Sequence, residues 1–254
     1  MADKSAIEWT DATWNPTTGC TQIPGPRGGP SGCDNCYAKT LIDLRQSKNP
    51  KSPRYGKPFE TVMLHESRLT QPLRWKRPRR IFVNSLSDVF HPDVPEDFIA
   101  QIFDVMVSAH WHAFQVLTKR PDRMRRIAPT TPASNIWLGA SVCSNDDAWR
   151  ADALRATPAV IRFLSVEPLL GPVDRVDLDG IDWLIAGGES GKGARPMNTA
   201  WVRDLRDRCV ARNIPFFFKQ WGGAVDKRGH GDAVLDGRRW MECPRIDPSE
   251  AMNR

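Results

Sequence analysis

Cys20, Cys33 and Cys36 are the residues whose type and spacing point most directly to chemistry. Two residues separate Cys33 from Cys36, so a single turn can aim both thiolates at one soft metal centre. The twelve residues between Cys20 and Cys33 run Thr-Gln-Ile-Pro-Gly-Pro-Arg-Gly-Gly-Pro-Ser-Gly. That composition is too rich in Pro and Gly for helix or strand and reads as a loop. Three thiolates leave a site incomplete, because structural zinc and most iron–sulfur clusters take four protein ligands. Either a distant fourth ligand completes it, His65 or His91 making an ordinary three-cysteine, one-histidine zinc site, or one metal position is kept for something else. Cys143, Cys209 and Cys243 stand apart and read as buried structural thiols. Six cysteines, three of them clustered, point to metal or redox chemistry in a reducing compartment rather than to disulfides.

The elements that must position this triplet are legible as short apolar runs. Ile7 to Trp14 leads into the cysteine loop; Thr61–Leu64, Ile81–Val83, Ala113–Leu117, Asn135–Gly139, Ile161–Leu164, Trp183–Ala186 and Ile214–Phe218 follow. Their nearly continuous apolar character is that of strands covered on both faces. Cys36 to Arg45 reads as a helix with Tyr37, Thr40, Leu41 and Leu44 on one face, and Pro95–Ala109, Asn145–Ala156 and Thr199–Arg212 also show helical spacing, the last capped by Asn198 or Thr199. Alternating strands and helices imply a parallel sheet. Eight strands imply an α/β barrel, with a doubly wound open sheet as the alternative. The barrel is favoured because each apolar run ends in a polar signature: His65-Glu66, Asn84 to Asp88, Thr118-Lys119-Arg120, Ser141, Ser165 to Pro168, Gly187 to Ser190 and Lys219-Gln220-Trp221. Strand C-terminal ends are where such folds assemble their sites.

A chain of 254 residues, 40% hydrophobic, fills one domain of barrel size, residues 1–254, and no linker or internal repeat divides it. It carries no apolar run of about 18 residues and no basic-then-apolar leader, which predicts a cytoplasmic protein without a membrane partner. The net charge of +6 and a pI near 9.1 permit an anionic partner. Two basic runs, Arg74 to Arg80 around Trp75 and Lys119 to Arg126, are candidates for phosphate contact or for solvated faces. Ten tryptophans include Trp111 and Trp221 as candidates to stack on a base, against core packing as the plainer role.

Seven stretches carry a resemblance: Glu8 to Pro16, Cys33 to Ala38, Val83 to His91, Val116 to Pro121, Ser165 to Val173, Gly187 to Gly191 and Phe217 to Gly222. Together they resemble a phage and bacterial protein family over about residues 5–223. That family looks like a branch of the radical S-adenosylmethionine superfamily, with spore photoproduct lyase as a distant relative. The resemblance implies a partial or complete TIM-type barrel with a cluster loop at 19–38 and a short C-terminal extension at 224–254. It also implies a [4Fe-4S] cluster on Cys20, Cys33 and Cys36, whose remaining iron takes S-adenosylmethionine; reduction would release a 5'-deoxyadenosyl radical that abstracts hydrogen from the substrate. Ser85, Ser87, Asp88, Lys119 and Ser141 fall where S-adenosylmethionine contacts are expected in the lyase branch. Glu167 and Glu189, beyond the sixth and seventh strands, are expected on the substrate side. The spacing departs from the common superfamily pattern, twelve residues then two instead of three then two, and Asn35 stands where an aromatic residue is usual.

Phage members of the family are associated with thymine hypermodification in DNA, where a radical isomerase would rearrange an amino-acid adduct. The expected partners are therefore a nucleotide or DNA substrate and an external flavodoxin- or ferredoxin-type electron donor, in the host cytoplasm if the chain is phage-encoded. The alternative is a zinc- or iron–sulfur-stabilised nucleic-acid-binding protein without catalysis.

Overall fold

A computed structural model describes residues 5–224 and 233–244; the rest of the expected C-terminal extension, 225–232 and 245–254, lies outside the described residues. Strands β1 (Ala12–Trp14) and β2 (Thr17–Thr18) precede the cysteine loop. Helix α1 (Tyr37–Leu41), continued by a π turn over Ile42–Gln46, follows it. Then come β3 (Met63–Leu64), α2 (Glu66–Leu69), β4 (Arg80–Val83), α3 (Glu96–Ser108), β5 (Ala113–Thr118), α4 (Pro121–Ile127), β6 (Ile136–Ser141), α5 (Ala148–Arg155), β7 (Ile161–Val166), β8 (Trp183–Gly187), α6 (Thr199–Ala211), β9 (Phe216–Gln220) and the hairpin β10 (Val234–Leu235) and β11 (Arg238–Arg239).

Seven strands form one parallel sheet in the order β1-β4-β5-β6-β7-β8-β9. Spatial order follows chain order with no reversal, which is the barrel arrangement and not the doubly wound one. Because β1 and β9 do not pair, the sheet is a curled half-barrel. The eighth expected strand is absent from it. Thr61–Leu64 yields only the two-residue β3, which pairs antiparallel with β2; Leu64 is exposed, so this segment is not covered on both faces as a barrel strand must be.

The alternation of the strands builds two cores. Outward-facing Ile81, Val83, Phe114, Val116, Leu138, Leu164, Leu184 and Phe216 meet the inner faces of α3, α5 and α6 in the main cluster. Inward-facing Phe82, Trp137, Phe163, Trp183, Ile185 and Phe217 fill the hollow together with Trp9. Trp183 sits at the centre, its ring 5.9 Å from Trp137 and 5.6 Å from Phe163. Gly139 makes room for this packing, since a Cβ there would stand 2.4 Å from the Phe163 ring. These aromatics sit toward the strand N-terminal ends, so the hollow is plugged below and polar at its C-terminal mouth. Residues 240–242 run along the free edge of β9, with Phe218 N–H donating to Trp240 O and Glu242 N–H to Phe216 O. They satisfy backbone groups that a closed barrel would pair with another strand.

The helix expected after the cysteines forms, but its inward face differs. Ala38 and Ile42, four residues apart, pack on Phe59, with Cys20, Cys36 and Leu86 against them, whereas Tyr37 and Leu44 are 53% and 69% exposed. No helix among the described residues is long and apolar enough to cross a membrane.

Candidate metal centre at the mouth of the half-barrel

The loop carrying Cys20, Cys33 and Cys36 folds back over the C-terminal ends of β5, β6 and β7. Gly32 shows how closely: a Cβ there would lie 2.3 Å from Cys143 Sγ and 3.5 Å from both Lys119 Cε and Pro168 Cδ, so only glycine fits. The loop's far side is tied down by Arg195. Its guanidinium donates to Ser31 O at 2.9 Å, to Asp34 Oδ2 at 2.9 Å and to both oxygens of Glu189, and Asn35 Nδ2 adds a bond to Glu189 Oε2 at 2.8 Å. Burial alone would raise the Glu189 carboxyl's pKa, but the bonds from Arg195 and Asn35 outweigh it and hold the pKa below the ordinary glutamate value. Glu189 is thus buried and hydrogen-bonded to Arg195 and Asn35, contacts that anchor the cysteine loop.

Cys20 is fixed from the opposite side. Arg120 Nη1 lies 3.4 Å from Cys20 Sγ and 3.1 Å from Asp88 Oδ2, and Nη2 donates to Thr21 O. His91 Nε2 accepts from Thr21 N at 3.2 Å. Burial pushes the Cys20 thiol up to about 11 despite the adjacent guanidinium. Cys143, set aside on sequence grounds as a structural thiol, also stands at the mouth; burial raises it to about 11, while Lys119 beside it works in the opposite direction.

Lys119 points among these thiols. Burial alone would lower its pKa, but Cys143, Cys33 and Cys36 hold it above the ordinary lysine value, and its ammonium makes no hydrogen bond or ion pair with the described residues. Ser141, at the end of β6 on the inward face, also offers a hydroxyl without a partner among the described residues. Next to them Glu167 pairs with Lys219 at 2.7 Å and accepts from Ser165 Oγ at 3.3 Å. The mouth therefore presents four thiols, the Lys119 ammonium, the Ser141 hydroxyl and an ion pair carrying both signs of charge.

Ser85, Ser87 and Asp88, expected to contact S-adenosylmethionine, have their side chains bonded within the protein. Ser85 exchanges hydrogen bonds with Asn15, Ser87 Oγ donates to Thr17 O, and Asp88 accepts from Phe90 N, Thr118 Oγ1, Lys119 N and Arg120. They shape the mouth by holding the strand ends. Among the described residues no three His, Cys, Asp or Glu side chains converge on a single-ion position, and both histidines considered for a zinc site have Nε2 engaged, His65 with Thr18 Oγ1 at 2.8 Å and His91 with Thr21. Cys20, Cys33 and Cys36 are partly exposed on one loop and in no disulfide, and thiolates are the donors that an iron–sulfur cluster takes, spaced farther apart than around one ion.

Of the aromatic candidates, Trp111 lies before β5, at the end of the barrel away from the mouth, with Nε1 donating to Trp75 O. Trp221 packs edge-on against Phe218. In the second basic run Arg120 and Arg123 are spent on internal bonds, leaving Arg125 and Arg126 exposed. The sequence reading placed Arg120 and Lys219 among the polar strand ends without giving either a role, and it missed Arg195, Asn35 and Cys143 as parts of the site. Lys219 had a signal, a cation within an otherwise apolar strand on the same face as Phe217. Arg195 had none, because only folding brings it to residues 31–35.

The family described as "Protein of unknown function (DUF5131)" matches residues 4–244. No curated protein and no solved structure matches the chain.

Proposed function

We propose that this chain, which belongs to the DUF5131 family, is a radical S-adenosylmethionine iron–sulfur enzyme that modifies or isomerises an amino-acid-bearing nucleobase. The observation that carries the reading is the folding of the three-cysteine loop over a polar half-barrel mouth, with the unpaired Lys119 ammonium among the thiols. Cys20, Cys33 and Cys36 would hold a [4Fe-4S] cluster. When bound, the cluster supplies one electron for reductive cleavage of the S-adenosylmethionine sulfonium. Lys119 and Ser141 have the chemistry to donate to the methionine carboxylate, a charge-assisted contact that orients the cofactor. The loop strapped down by Arg195 and the aromatic plug beneath the mouth would limit the access of water and quenchers to a radical formed there. Glu167 and Lys219 together offer an acceptor for a substrate amine and a donor for its carboxylate, which suits an amino-acid adduct on a nucleobase. The net charge of +6 is compatible with a polyanionic carrier such as DNA, although the exposed Arg74, Lys76 and Arg77 precede β4 at the end of the barrel away from the mouth and do not contribute to it. An external flavodoxin- or ferredoxin-type protein would deliver the electron.

The test is anaerobic reconstitution with iron and sulfide, followed by reduction in the presence of S-adenosylmethionine. The protein is expected to form 5'-deoxyadenosine slowly without substrate, and Glu167→Gln is expected to retain that reaction, since Glu167 faces substrate and not cofactor. A fully loaded wild type that leaves S-adenosylmethionine intact would contradict the reading.

A further inference from the structure

The Arg120 guanidinium is placed as if to serve a sulfur. Its Nη1 lies 3.4 Å from Cys20 Sγ, within hydrogen-bond range of a thiol, while also donating to Asp88 Oδ2 at 3.1 Å. Nη2 reaches Thr21 O at 3.0 Å and Thr21 Oγ1 at 3.2 Å. Asp88 cannot swing away, because Phe90 N, Thr118 Oγ1 and Lys119 N hold its oxygens, and Thr21 is gripped from its other side by His91. The Arg120 side chain is only 14% exposed. Removing a guanidinium from water is costly, and a neutral side chain would fill a purely structural position at lower cost. What arginine alone provides here is a rigid fork that meets a carboxylate, a carbonyl and a sulfur together.

We propose that Arg120 is a positioning residue for the metal centre: held by Asp88 and Thr21, it donates an N–H···S hydrogen bond to Cys20 and thereby raises the reduction potential of the cluster. The inference rests on the cluster reading above. A donor and a positive charge at a ligating sulfur stabilise the more electron-rich, reduced cluster, so they move the potential upward. Arg123 supplies the contrast, as an equally basic neighbour on α4 that bonds the carbonyls of His91 and Val94 and makes no bond to a sulfur among the described residues.

The experiment is a redox titration of reconstituted wild type, Arg120→Gln, Arg120→Lys and Arg123→Gln, followed by absorbance and electron paramagnetic resonance, with iron per chain measured on each sample. Arg120→Gln is expected to titrate at a lower potential than wild type, Arg120→Lys between the two, and Arg123→Gln with wild type. If Arg120→Gln fails to fold or load, Arg120→Lys decides the matter, because it keeps the charge and loses the fork. A loaded Arg120 variant with the wild-type potential, or an equal downward shift in Arg123→Gln, overturns the inference and leaves the cluster reading standing. A wild type that binds no iron–sulfur cluster overturns both.

Discussion

Lys119 and Glu189 show how two charged residues of one mouth take opposite roles. Lys119 has no hydrogen-bond or carboxylate partner among the described residues, only the neighbouring cysteines, and a half-buried cation so placed suits an arriving anion. Replacing it by Met is therefore expected to weaken S-adenosylmethionine binding by about tenfold or more, from the loss of roughly 1.5–3 kcal/mol of charge-assisted hydrogen bonding, with iron content unchanged. Anaerobic equilibrium dialysis measures this, and undiminished affinity would remove Lys119 from the cofactor site. Glu189 is already saturated by Arg195 and Asn35, so its loss acts on the loop that presents Cys33. Glu189→Gln is expected to lower the melting temperature and to speed loss of iron to a chelator, a different outcome from selective loss of substrate turnover with the cluster intact. Iron retention and a melt equal to those of the wild type would favour a substrate-side role for Glu189 over an anchoring one.

At the level of elements, seven of the eight expected strands lie in the sheet, because runs such as Ile81 to Val83 and Trp183 to Ala186 are apolar on both faces and only a doubly covered strand tolerates that. The failure at Thr61–Leu64 has the same origin. A four-residue apolar run does not say whether both faces will be covered, and there one was left to solvent. The helix after Cys36 was legible in extent but not in facing: Ala38 is too small to register as a core residue by pattern, yet it is what lets the helix approach Phe59. The cysteines were readable from spacing, whereas the Arg195 strap and the Arg120 fork join residues more than 90 positions apart and leave no local signature. Gly139 is a further case in which packing decides. Gly139→Ala puts a methyl group into the Phe163 ring, and the inner aromatic layer is expected to lose about 1–3 kcal/mol. Chemical denaturation measures the change; a stability within about 0.5 kcal/mol of wild type would mean the layer yields more easily than its burial implies.

On the scale of the whole molecule, a plugged half-barrel with a covered β9 edge carries its charge in two ways, as exposed basic residues and as internal pairs that make stability depend on pH. His65 is neutral in the fold: burial, followed by repulsion from Arg68, Arg54 and Lys57, lowers its pKa from 6.5 to about 4, and its Nε2 faces a Thr18 hydroxyl that also accepts from Arg54. Between these two values the unfolded chain binds a proton that the folded chain refuses. The stability His65 contributes is therefore complete above 6.5 and declines as pH falls toward about 4, by about 1.4 kcal/mol per unit. Melts across that window are expected to slope less in His65→Asn than in wild type, and equal slopes would mean that His65 protonates freely in the fold. The account as a whole depends on what the three cysteines hold. The most direct test is the iron and acid-labile sulfide content of protein purified and reconstituted without oxygen, for wild type, for Cys20→Ala, Cys33→Ala and Cys36→Ala, and for Cys209→Ala, whose thiol is buried in the outer core. About four irons and about four sulfides per wild-type chain, lost in each of the first three variants and kept in the last, are the predicted result; a single zinc without sulfide, or equal loss from all four variants, would contradict it.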